Sequence, residues 1–109
     1  MPKTPTQLDE LTSLLKDLER TCGTLLANRH HQLESIRRKH QEAAAQALKA
    51  VDAKLEEMTD WKYYFTLETA RPEQRSLEGS GDFLKRVVVW YKDGIARARR
   101  GTESKKQTA

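Results

Sequence analysis

The stretch Leu8-Asp-Glu-Leu-Thr-Ser-Leu-Leu-Lys-Asp-Leu-Glu-Arg-Thr-Cys-Gly-Thr-Leu25 decides the fold class. Its apolar side chains recur in alternating steps of three and four residues, which is the spacing of one face of an amphipathic helix. The positions on this face are Leu8, Leu11, Leu15, Leu18, Cys22 and Leu25. This rhythm predicts a helix that buries the face against another helix, as in the seam of a coiled coil.

A second apolar stripe follows with the same steps of three and four residues. Its members are Ala44, Leu48, Val51, Leu55 and Met58. The polar segment 28–32 separates the two stripes and puts them out of phase. A single helix from about Pro5 to about Met58 would need a stutter there, whereas a break near Gly23 to His31 would give a helical hairpin. We favour the single helix, because one glycine costs only about 1 kcal/mol inside a helix.

The remainder of the chain predicts a small aromatic-rich module, which we expect to be helical. All seven aromatic residues lie between Trp61 and Tyr91. We therefore divide the mainly α chain into a coiled-coil-type helix or hairpin (1–60), the aromatic module (61–100) and a disordered basic tail (101–109). Within the module, residues 71–82 form a loop and residues 83–100 a final helix. A β-hairpin is the alternative for this last part, since Asp93-Gly94 is a hairpin turn signal.

The composition predicts self-association. Charged residues make up 33% of the chain and apolar residues 37%. A single chain of 109 residues therefore has few apolar side chains with which to build a hydrophobic core of its own. We expect a homo-oligomer that assembles through the long helix, and a partner protein's helix is the alternative occupant of the same face. The predicted interface residues are Leu8, Leu11, Leu15, Leu18, Cys22, Leu25, Leu48, Val51 and Leu55.

Other classes of protein are disfavoured by what the sequence lacks. Cys22 is the only cysteine and lies on the apolar stripe, which predicts a buried apolar residue. There is no secretory signal and no apolar run long enough for a membrane span, so we expect a cytoplasmic protein without membrane contact. Neither a nucleophile motif, nor a nucleotide-binding loop, nor a metal-ligand spacing is present. We therefore predict a non-enzymatic protein without cofactor or metal.

The distribution of charge suggests nucleic acid as a partner. Residues 1–91 carry 14 basic and 14 acidic side chains, whereas residues 92–109 carry six basic and two acidic ones, so the net charge of +4 lies in the C-terminal end. Basic side chains at such an end bind phosphates without reading bases. The predicted nucleic-acid-binding residues are Arg97, Arg99, Arg100, Lys105 and Lys106. The run from Arg37 to His40 is interpreted as a solvated helix face.

Two functions follow from these features. The first is an oligomeric accessory or regulatory factor that binds nucleic acid through its basic C-terminal end. The second is a protein–protein adaptor, chaperone or assembly subunit that makes no contact with nucleic acid. Binding of DNA or RNA by the purified chain distinguishes the two.

Overall fold

The computed structural model describes the backbone of residues 5–108 and the side chains of residues 6–101. This part of the chain is mainly helical and contains no β-strand, which confirms the prediction of a mainly α chain. Its helices, in chain order, are α1 (Pro5–Ala27), α2 (Glu34–Glu57), α3 (Lys62–Thr66) and α4 (Ser80–Thr108).

The favoured prediction of one continuous helix through residues 5–58 is wrong, because residues 28–33 separate α1 from α2. Asn28 follows the last residue of α1, and its side-chain Nδ2 donates to the carbonyl oxygen of Thr24 at 2.8 Å, an oxygen that also accepts the backbone N–H of Asn28 at 3.1 Å. The physical reason for the break is burial. Two separate helices can turn their apolar stripes toward each other, whereas one rod would leave both stripes uncovered by the chain itself.

Helix α2 packs against α1 and runs antiparallel to it. The turn joins the end of α1 to the start of α2, and an ion pair between Lys54 and Glu10 joins the opposite ends of the two helices. The two apolar stripes meet in the space between these contacts. Leu11 and Val51, one from each stripe, are both fully buried.

Helix α4 packs on another side of α1 and is also antiparallel to it. Near the start of α4, the Cys22 thiol lies 3.6 Å from the carbonyl oxygen of Gly81. Toward its other end, Arg99 forms an ion pair with Asp9 at 3.1 Å. Consequently the carboxyl end of α1 and the amino ends of α2 and α4 lie at the same end of the molecule.

The short helix α3 packs on α4 where glycines leave room for its aromatic rings. A Cβ atom placed on Gly94 would lie 2.1 Å from Cδ2 of Phe65, and one placed on Gly101 would lie 2.6 Å from Cε1 of Tyr64. Gly94 is therefore a packing residue inside a helix. The β-hairpin alternative for residues 83–100 is wrong, because this whole segment belongs to α4.

Helix α4 continues through residues 101–108, for which the sequence predicted a disordered tail. One glycine at position 101 lowers helix propensity by only about 1 kcal/mol, which is too little to end a helix that is already formed. Among the described helices, none combines the length and the apolar character that crossing a bilayer requires.

Candidate nucleic-acid interface

Arg97 is the first of the predicted phosphate-binding residues, and its side chain is mostly buried within the fold. Its side chain is only 12% exposed. Nε donates a hydrogen bond to the carbonyl oxygen of Tyr64 at 2.7 Å, and Nη2 donates one to that of Phe65 at 3.3 Å. These carbonyls belong to the end of α3, where a helix lacks internal donors. Arg97 therefore caps α3 and also pairs with Glu68, at 3.5 Å.

The remaining predicted residues at this end are divided between paired and unpaired side chains. Arg99 forms the ion pair with Asp9 and also donates to Oγ1 of Thr12, at 3.4 Å. Arg100 is exposed and has no carboxylate partner among the described side chains. The side chains of Lys105 and Lys106 lie outside the described residues. Of the three arginines whose side chains are described, only Arg100 is left for a phosphate.

The nine predicted interface residues lie within the fold of one chain. Eight of them are at most 7% exposed and Leu48 is partly buried. They are covered by the other helices of the same chain. In the folded chain these side chains leave little surface for a second chain.

A second concentration of positive charge lies at the other end of the molecule. Residues 28–40 contain four basic side chains and one acidic side chain, a local net charge of +3, together with all three histidines. We call Arg29, Arg37 and Lys39 the basic tip. The acidic residue, Glu34, pairs with Arg38 at 3.0 Å. No carboxylate among the described side chains pairs with the three residues of the basic tip.

The geometry of the turn brings two residues of the basic tip, Arg29 and Arg37, together with the start of α4. Arg29 and Arg37 line a cavity of about 190 Å³ whose opposite wall is formed by residues 79–82. Arg37 also donates a hydrogen bond from its guanidinium Nη1 to the carbonyl oxygen of His31, which holds the guanidinium against the turn. Two helix amino ends and one carboxyl end meet at this end of the molecule, but Glu34 and Asp82 lie in the first turns of α2 and α4 and offset the dipoles there. The positive potential therefore comes from the basic side chains.

The sequence analysis did not predict the basic tip, for two reasons. Acidic residues elsewhere cancel its charge when residues 1–91 are counted together, and the single-helix prediction put Arg37 in the middle of a rod. The turn at residues 28–33 places the same residues at an exposed end. A charge count over a short window, combined with Asn28 as a helix-ending residue, is the signal that could have found it.

A second polar cluster joins Asp52, Tyr91 and Arg71. Asp52 accepts hydrogen bonds from the Tyr91 hydroxyl and from Arg71, whose Nε and Nη2 lie at 3.1 and 2.8 Å. Burial raises the pKa of Tyr91, and the hydrogen bond to Asp52 raises it further. The hydroxyl therefore stays protonated and serves as a donor. The cluster ties α2, the segment after α3, and α4 together, which is a structural role.

A reactive thiol and a metal site are the two other candidates for chemistry. Burial raises the pKa of the Cys22 thiol, which keeps it protonated and unreactive. Within residues 6–101, no three His, Cys, Asp or Glu side chains come together as metal ligands.

Comparison of the chain with protein-family models, curated proteins and solved structures finds no match.

Proposed function

We propose that this protein is a non-enzymatic accessory factor that binds the phosphate backbone of nucleic acid through the basic tip. The observation that carries the proposal is the difference in neutralisation between the two basic ends. Residues 92–101 also have a net charge of +3, from four basic residues and one acidic residue. Lys92, Arg97 and Arg99 are nevertheless each paired with a carboxylate from elsewhere in the fold. The basic tip keeps its charge.

Unpaired charge matters because binding to nucleic acid is an exchange of counterions. A cation that is already paired within the protein must give up that partner before it can replace a counterion on the phosphate backbone. Arg29 and Lys39 are exposed and have no such partner to lose, and Arg37 has only the neutral carbonyl of His31. Arginine also suits phosphate well, because its planar fork can donate two hydrogen bonds at once.

The proposal concerns the backbone and not the bases. Trp61, Phe65, Trp90 and Tyr91 are at most 6% exposed and belong to the core, so they cannot stack on bases. Tyr63 is 64% exposed, but it lies on α3, which packs on α4 near Gly94 and Gly101 and so away from the basic tip. Binding through a few cations alone gives dissociation constants of about 10⁻⁴ to 10⁻⁶ M at physiological salt. We therefore expect weak, salt-sensitive binding with little preference for sequence.

The test is a titration of fluorescently labelled DNA and RNA, single- and double-stranded, followed by fluorescence anisotropy. The tip variant carries Arg29→Gln, Arg37→Gln and Lys39→Gln. The matched control removes the same number of charges from exposed residues whose side chains form no ion pair among the described residues, by Lys16→Gln, Lys49→Gln and Arg75→Gln. A third variant removes charge from the C-terminal end, by Arg100→Gln, Lys105→Gln and Lys106→Gln.

Two to three lost phosphate contacts should weaken binding of the tip variant at least about tenfold at roughly 50 mM salt, and should lower the slope of log K against log salt by about 2 to 3. The control should bind nearly as well as the unaltered chain. The proposal fails if the unaltered chain binds no nucleic acid at about 50 mM salt. It fails equally if the tip variant and the control weaken alike, or if only the C-terminal variant loses binding. Circular dichroism shows that each variant is folded.

A further inference from the structure

We infer that the protein forms a symmetric homodimer through a groove between α1 and α4, centred on Gly23. The groove has a volume of about 300 Å³, and Cys22, Leu26 and Val88 contribute apolar lining. It borders the buried seam, with which it shares Cys22, and its open side is formed by Gly23 and Val89. The proposed occupant is a second copy of this chain, and the inference does not depend on nucleic-acid binding.

No packing contact within the described part of the chain requires a glycine at position 23. Inside a helix a glycine costs about 1 kcal/mol relative to alanine. At Gly81 and Gly94 that cost is offset by the close packing that a glycine allows. A Cβ atom at Gly81 would lie 2.4 Å from Leu26, and one at Gly94 would lie 2.1 Å from Phe65. A Cβ atom on Gly23 would meet nothing within 4 Å. The open space above Gly23 allows a second backbone or side chain to approach α1 closely.

Val89 supplies a matching projection on the same face. It lines the groove together with Gly23, yet 56% of its surface is exposed, whereas its neighbour Val88 is 6% exposed. A face that carries a hollow and an apolar projection side by side can be complementary to itself. In a two-fold dimer each contact occurs twice, so Val89 of each copy would cover Gly23 of the other.

The charges on the rim fit the same arrangement. Glu19 stands on the α1 side of the groove, and Lys85 and Lys92 stand on the α4 side. A two-fold axis parallel to the helices sets α1 of one copy on α4 of the other, so that the acidic edge faces the basic edge. The pair between Glu19 and Lys92 within one chain is half-exposed on both sides, and exchanging it for the same pair between chains costs little.

Sedimentation equilibrium of the full chain, without nucleic acid, tests the inference. The contact is small, so we expect a dimer with a dissociation constant on the order of 10–100 µM. Gly23→Gln fills the hollow with a helix-favouring, solvent-compatible side chain and should weaken the dimer at least tenfold while the monomer stays folded. The control is Gly79→Gln, which changes a glycine in the loop before α4, away from the groove.

Charge exchange tests the orientation of the two copies. Glu19→Lys alone and Lys92→Glu alone should each weaken the dimer severalfold, because like charges then face each other across the interface. The double variant should restore the original dissociation constant within about twofold. A chain that stays monomeric at about 500 µM overturns the inference. A dimer that Gly23→Gln leaves unchanged also overturns it, and a double variant as weak as the single variants refutes the two-fold arrangement.

Discussion

Gly23 and Gly94, two of the glycines that lie within helices, allow a paired test of how this fold is packed. Both lie inside long helices, so replacing either by alanine gives the same gain in helix propensity, about 1 kcal/mol. At Gly23 the new methyl group enters open space, and the full gain should appear as stability. For a chain of this size 1 kcal/mol raises the melting temperature by roughly 4 °C.

At Gly94 the same methyl group would lie 2.1 Å from the ring of Phe65. That ring is fully buried and packs against Trp90 and Tyr91, with ring centroids 5.9 and 6.0 Å away, so it has no free space to move into. Overpacking of this kind costs typically 1–3 kcal/mol, which cancels or exceeds the gain from propensity. The two alanine variants should therefore differ in unfolding free energy by about 1–3 kcal/mol, with Gly23→Ala the more stable.

Urea denaturation followed by circular dichroism at 222 nm measures this difference. The measurement is made at a concentration where sedimentation shows only monomer, so that self-association does not contribute. With a slope of roughly 1 kcal/mol per molar urea, the two midpoints should be about 1–3 M apart. Equal midpoints for the two variants would refute the packing of α3 on α4 described above.

The other predictions concern polar contacts in the same fold. Arg97→Leu should lower the unfolding free energy by about 1.5–3 kcal/mol in urea denaturation, because the carbonyls at the end of α3 lose a charged donor, and Arg97→Lys should recover only part of the loss. Tyr91→Phe should cost about 1–2 kcal/mol in the same assay, because Asp52 loses a hydrogen-bond donor; no effect would show that the hydroxyl is unimportant. The hydrogen bond from Arg86 lowers the pKa of Glu78 from 4.5 to about 2, so the ionised carboxylate stabilises the fold above about pH 4.5. Thermal stability should fall between about pH 5 and pH 2 in the unaltered chain, and Glu78→Gln should fall less steeply over that range.

The apolar positions of α1 could be predicted because helix periodicity is a local property. All six stripe residues that the sequence marked, from Leu8 to Leu25, are at most 5% exposed. The 3.6-residue repeat fixes which side chains share a face, whatever covers that face. The periodicity does not show which element covers the apolar face of α1. The sequence predicted a second chain, and the structure shows the chain's own α2 and α4.

The break at residues 28–33 was harder to predict, because its local signals are weak. Asn28 is the one residue there with a marked tendency to end a helix, and no proline supports it. Tertiary packing determines that the helix breaks there. Burying the two out-of-phase stripes against each other stabilises the turn by more than the turn's own residues can.

The chemistry of the basic residues shows the same division. The sequence by itself determined how many positive charges each end of the chain carries. Only the tertiary structure decided which of them remain available, by placing Glu68 and Asp9 beside Arg97 and Arg99 and by leaving Arg29 without a carboxylate. Ion pairs join residues that are far apart in the chain, 90 positions in the case of Asp9 and Arg99. Local patterns carry no information about such contacts, because they depend on how whole helices are packed.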